Sequence, residues 1–151
     1  VGAHTIIPRV GRILALDWGE IRFGVARSDE GQILASPLTT LSRRAGKRFP
    51  MPQFLALLDA DPVVGVVVGL PISLEGKETP SSAAARSLAA DVGRRTGLPV
   101  EMADERFTTA LALDAVREMG GSTRGRKKDV DALAATVLLQ QYLDHRRPGA
   151  S

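Results

Sequence analysis

Val63 to Leu70 narrows what this chain can become more than any other stretch. It is almost wholly apolar and rich in valine. A half-buried strand alternates apolar and polar residues, whereas a continuous run of this kind fits a central strand buried on both faces. The fold therefore needs a sheet with helices on its two sides. The rest of the chain supplies them. Gln53–Ala60 is amphipathic, with Phe54, Leu57 and Leu58 on one face. Ala83–Arg95 is alanine-rich and suited to close packing on a sheet, with Ser81 or Ser82 as its cap and Gly97 as its stop. Thr108 or Thr109 opens a helix to about Met119, and a last helix runs from about Val130 to Asp144 on Leu133, Val137, Leu138 and Tyr142.

Strands precede and separate these helices. Arg12–Asp17, Phe23–Ser28 and Gln32–Ser36 are divided by turns at Trp18-Gly19-Glu20 and Asp29-Glu30-Gly31. They read as a three-strand antiparallel meander ended by Pro37, with Gly24 and Ala26 small enough for close packing. Val100–Ala103 is the fifth strand. Residues 1–11 read as a loose lead-in, 42–52 and 71–80 as loops, Gly120–Lys128 as a basic glycine-rich loop, and 145–151 as a basic tail. The expected class is α/β, a mixed five-stranded sheet of three antiparallel and two parallel strands flanked by helices. At 151 residues it is expected to be one domain, 1–151.

Composition removes several kinds of chemistry. No cysteine is present, so disulfides and cysteine zinc sites are excluded. His4 and His145 stand near opposite ends, which argues against a histidine metal site or a Ser/His triad. No apolar run approaches the ~20 residues of a membrane span, and no signal-peptide pattern opens the chain; a cytoplasmic location is expected. Val1 in place of Met points to a trimmed start or a missing leader. The net charge is only +3, but Arg43, Arg44, Lys47 and Arg48 form one basic cluster and Arg124, Arg126, Lys127 and Lys128 another. Such clusters suit a polyanion, since phosphate contacts supply most nucleic-acid affinity.

Three acidic stretches set the chemistry. Leu16-Asp17 and Ala103-Asp104-Glu105 end strand-like runs, and Asp129-Val130-Asp131 opens the last helix. Alone, each is an ordinary turn or cap. Converging, they suit Mg²⁺ or Mn²⁺, hard cations that prefer oxygen ligands, and a pair of such ions cuts phosphodiester bonds. In a continued strand Asp104 and Glu105 point to opposite faces, so one of them is excluded from any shared site.

Four segments together resemble the YqgF/RuvX family, ribonuclease-H-like proteins described as Holliday junction resolvases and as pre-16S rRNA nucleases. They are Leu16-Asp17-Trp18-Gly19 with Arg22-Phe23-Gly24-Val25-Ala26, then Val68-Gly69-Leu70-Pro71, Asp104-Glu105-Arg106-Phe107-Thr108-Thr109, and Lys127-Lys128-Asp129-Val130-Asp131 leading into Ala134-Ala135. The resemblance spans residues 12–144. It departs at Ile21, where a basic residue is common, and at Phe107, where leucine is usual. It implies a ribonuclease H-like sheet and a metal-dependent endonuclease. Asp17, Glu105 and Asp131 would be the catalytic, metal-holding carboxylates, with two Mg²⁺ or Mn²⁺ ions as cofactor and Asp129 as cap; Asp104 and Asp129 are the additional acidic candidates. Arg22, Arg106, Lys127, Lys128, Arg124, Arg126, Arg43 and Arg44 would meet phosphates, and Trp18 would stack on a base or pack in the core. The expected substrate is structured nucleic acid, with 5′-end processing of pre-16S rRNA ahead of junction resolution in recombination and repair. A resolvase would act as a homodimer with paired sites; ribosomal or recombination proteins are the expected partners, and no membrane is. Two readings compete. A non-catalytic nucleic-acid-binding module would use the same basic clusters. An actin-like or sugar-kinase ATP module also begins with Asp and Gly after a strand, but it needs a second such domain.

Overall fold

The structure, a computed structural model, describes residues 6–19, 21–44, 48–73, 75–104 and 127–146, the first four of the last segment as backbone. Within them lie β1 (Ile13–Asp17), β2 (Arg22–Ser28), β3 (Ala35–Ser42), α1 (Met51–Ala60), β4 (Gly65–Leu70), α2 (Pro80–Thr96), β5 (Val100–Asp104) and α3 (Lys127–Arg146). The sheet order is β3-β2-β1-β4-β5. β1 and β2 pair antiparallel, as do β2 and β3, while β4 joins β1 and β5 in parallel. This is the mixed sheet expected from the valine run, and every residue of β4 is buried.

Alternation along the strands divides the core in two. Leu14, Leu16, Phe23, Val25, Val66 and Val68 face α1 and α2, where Phe54, Ala85, Leu88 and Val92 meet them. Ile13, Ala15, Ala26 and Val67 face α3 through Ala135, Leu139 and Leu143. The second face sets small residues, Ala15, Gly24 and Ala26, among aliphatic ones, and one of the small residues is obligatory. A Cβ added to Gly24 would lie 1.9 Å from the backbone oxygen of Asp131, so only glycine lets α3 rest directly on β2.

Several expectations change on inspection. β3 runs through Pro37 instead of ending there, and Gln32–Leu34 are not strand. Pro37 pairs with Ala26 and Thr39 with Val25, leaving Leu38 as an extra residue. An edge strand tolerates both a bulge and a missing N–H. Before it, the Asp29 carboxylate accepts from the N–H groups of Ile33 and Leu34 at 2.8 and 3.0 Å. The Leu34 bond above all, with that from Ile33, holds its pKa below the ordinary aspartate range against the opposing effect of burial.

The lead-in is not loose where it is described. Ile7 is fully buried against the α3 face. The Gln32 amide donates to the carbonyls of Pro8 and Gly11 at 2.8 and 2.9 Å, and Arg146 donates to the carbonyl of Ile7. Arg146, expected in a tail, is thus the last residue of α3 and a tie between distant parts of the chain.

The cap of α2 is Thr79, not Ser81 or Ser82. Its hydroxyl accepts from Ser82 N–H while the Ser82 hydroxyl accepts from Thr79 N–H, a reciprocal capping box ahead of Pro80. The Ser82 hydroxyl also donates to the carbonyl of Pro71, tying the helix start to the exit of β4. Gly97 closes the helix in the left-handed conformation at φ 72°. In α3 the buried stripe is Ala132, Ala135, Leu138, Leu139 and Leu143, whereas Leu133, Val137 and Tyr142 are only partly covered. An alanine- and leucine-rich helix has more than one apolar face, and the small faces of Ala15, Gly24 and Ala26 select the one with alanines. The expected helix to about Met119 lies outside the described residues.

Candidate active site

Asp17 is the last residue of β1. Ile13 and Ala15 belong to the α3 face, so alternation gives Asp17 the same face. Its neighbour across the antiparallel ladder is Gly24. Because the Asp131 backbone stands directly over Gly24, the second turn of α3 lies beside the strand end that carries Asp17. Two of the three expected carboxylates are therefore brought together by one glycine.

Asp131 is not alone there. The Arg22 guanidinium donates through Nε to Asp131 Oδ2 at 2.7 Å, both side chains being about two-thirds buried. Arg22 opens β2 just past the turn that follows Asp17. That turn is tight: a Cβ on Gly19 would lie 2.1 Å from the carbonyl oxygen of Arg22. Asp131 is thus partnered by a cation from the start of β2.

The neighbouring acids divide differently. In β5, Met102 packs on the α1/α2 side and Ala103 on the α3 side. The Tyr142 hydroxyl of α3 donates to Glu101, and this bond together with burial raises the tyrosine pKa well above its usual value, burial weighing most. Asp104 pairs in register with Leu70, is exposed, and lines a shallow cleft at the sheet edge with Leu138, Gln141, Tyr142 and His145 of α3. Asp129 is within α3, which is already helical at Lys127, so it is not the N-cap expected of it. Lys127 and Lys128 are likewise helical and not loop. Glu105, Arg106, Thr108, Thr109, Arg124 and Arg126 lie outside the described residues. Among the described residues no three potential metal-ligating side chains gather.

Trp18 falls on the opposite side from Asp17. It packs on the larger core cluster, edge-on to Phe23 with ring centroids 5.2 Å apart. The Arg43 guanidinium lies 5.2 Å above its ring. Arg44 is exposed in the same segment. The arginines on the outer flank of α2, Arg94 and Arg95, had drawn no attention in the sequence, although their place in the last turn of a capped helix marks them as exposed cations.

Comparison with known proteins gives the family and the fold. A family model described as RuvX, Holliday junction resolvase, matches residues 11–145. A protein of Koribacter versatilis named "Putative pre-16S rRNA nuclease" is 40% identical over 136 residues, spanning 90% of this chain and 88% of its own length. One of the same name from Chloroflexus aurantiacus is 39% identical over 135 residues, with 89% and 88% covered. Among solved structures, T. thermophilus RuvC in complex with Holliday junction substrate superposes with a TM-score of 0.54 at 17% identity, covering 89% of this chain and 95% of that one. At that identity the likeness establishes the fold alone, which is the ribonuclease H-like one.

Proposed function

This chain belongs to the RuvX family, and from that premise we propose that it is a divalent-metal-dependent endonuclease processing the 5′ end of a 16S rRNA precursor. The observation that carries the reading is the placement of Asp17 and Asp131 on one face, across Gly24.

The donor set fits a hard divalent ion: carboxylate oxygens on rigid elements, one of them partnered by a guanidinium. Asp17 and Asp131 would hold it. Glu105, the acid that follows Asp104 in the family's Asp104-Glu105-Arg106 motif, is kept as the third ligand on that motif. When bound, such ions activate a water and stabilise the leaving oxygen.

The chain's own groups do the rest. Asp17 is fixed by strand pairing and Asp131 by the seating of α3, so neither need reorganise as substrate arrives. Arg22 partners Asp131, and with that carboxylate holding an ion its guanidinium would be placed to bond a phosphate oxygen. Lys127 and Lys128, ahead of Asp131 on the same helix, add charge for the backbone of the nucleic acid.

The test is cleavage of a 5′-extended 16S precursor and of a four-way DNA junction in parallel, with Mg²⁺ or Mn²⁺, by the protein and by Asp17→Asn. Precursor cleavage by the unaltered protein alone is expected. Equal activity in a folded Asp17→Asn protein would sink the site. Junction cleavage in its place would move the substrate to branched DNA, and tight binding without any cleavage would leave a binding module.

A further inference from the structure

The face of the sheet opposite the carboxylates carries a cleft of about 430 Å³, within the range of ligand-binding sites. It opens between the outer flank of α2 and the segment leading into α1. Trp18 and Phe49 supply aromatic surface, and Arg43, Arg48, Arg94 and Arg95 line the walls. Asp91 is the one acid in the lining, and it is already paired with Arg94 at 2.6 Å. Four guanidiniums against one carboxylate make this an anion-binding surface.

The aromatic floor is held firmly. Trp18 and Phe49 each meet the buried Phe23 edge-on, at 5.2 and 4.8 Å, so neither can turn without disturbing the core. The Arg43 guanidinium stacks above Trp18, and such a plane accepts a nucleobase on its outer side or yields the ring to it. The flank of α2 from Ala84 to Arg95 extends the cleft for about 16 Å along the helix, longer than a single base. Stacking surface and spaced cations together are what single-stranded nucleic acid requires.

We propose that this cleft binds a single-stranded nucleotide segment, with one base stacked at Trp18 and Arg43 and the adjoining phosphates on Arg48, Arg94 and Arg95. Trp18 directly follows Asp17, and alternation sends the two to opposite faces at the same strand end. A strand crossing the end of β1 would present a phosphate to the carboxylates and an unpaired base to the cleft. That last relation rests on the nuclease reading; the binding itself does not.

Trp18 is the only tryptophan in the chain, so its fluorescence reports on this cleft directly. The full Asp17→Asn chain, which leaves substrate uncut, is titrated without metal against a short oligouridylate, a short oligothymidylate, a blunt duplex and uridine monophosphate. Saturable quenching by the single strands is expected, weaker for the mononucleotide and the duplex by at least about tenfold. In Arg48→Gln/Arg95→Gln, both exposed positions, affinity falls by about tenfold or more. The slope of log affinity against log salt becomes shallower by roughly 1.4, the loss of two phosphate contacts on a single strand. A thermal melt matching that of the parent confirms that the double variant is folded. Absence of quenching, equal quenching by duplex or mononucleotide, or an unchanged affinity in the double variant would each overturn the site. Cleavage by Asp17→Asn would refute the nuclease centre and leave this measurement standing.

Discussion

The two faces of the sheet are made of different materials. Toward α1 and α2 lie the bulky side chains: Phe23, Phe54, Leu14, Leu16 and Met51, with Phe49 and Trp18 closing the edge. Toward α3 the buried cluster holds no aromatic ring among the described residues: Ile7, Ile13, Val67, Leu139 and Leu143 surround a patch of Ala15, Gly24, Ala26, Ala132 and Ala135. The first face buries area and so supplies most of the hydrophobic stabilisation. The second buries less per residue but brings backbone against backbone, which fixes position. The carboxylates stand on the second. Rigidity of placement and magnitude of stability are thus separated across one sheet.

That separation can be broken from either side. Phe54→Ala, fully buried in the bulky cluster, should cost about 3 to 5 kcal/mol. Below the melting transition it should leave the cleavage rate per folded molecule unchanged; chemical denaturation and single-turnover assays check the two halves. Gly24→Ala should invert the pattern. Its methyl group forces α3 away from β2, costing about 1 to 3 kcal/mol while lowering turnover about a hundredfold, the usual penalty for an ångström of misplacement. Equal loss of activity in both variants would erase the distinction between the faces.

Smaller changes sharpen it. Arg22→Gln removes the guanidinium from Asp131 and should cost about 1 kcal/mol, as expected for a partly buried charge-assisted bond. Without its competing cation, the carboxylate should be saturated by Mn²⁺ at lower concentration, read as metal-dependent thermal stabilisation. Asp29→Ala, remote from both faces, should cost about 1 kcal/mol or less at neutral pH. The folded-state pKa of Asp29 is lowered, so its contribution is complete above the unfolded value of about 4 and is lost as pH falls below that. The two proteins should converge in stability in acid, and activity at neutral pH should not differ.

The bulky face was legible in the sequence, because a valine run and amphipathic helices encode burial locally. Asp17 was legible for the same reason, as a carboxylate ending an apolar strand. What escaped depends on partners distant in the chain. Pro37 stops a central strand but not an edge one, and edge position is a property of the whole sheet. Ile7 looked like part of a loose lead-in because the Gln32 and Arg146 groups that hold its segment are far away in sequence. In α3 Leu138 is buried as expected, but Leu133 and Val137 are not, because the small residues of β1 and β2 draw the alanine-bearing side of the helix inward. Gly24 and Ala26 did signal close packing, but not which helix would use it.

The helix that brings Asp131 to Asp17 is synthesised long after the strands it docks on. Residues 13 to 28 form the hairpin against which α3 docks, yet Asp131 follows the end of that hairpin by about a hundred codons. At ordinary elongation rates the ribosome needs roughly 5 to 20 s to cover that interval. During it the nascent chain can assemble the bulky face, while the small-residue face stays bare and Asp17 has no partner from α3. The proposed carboxylate pair is thus absent from the emerging chain, and forms only once the tunnel has released α3.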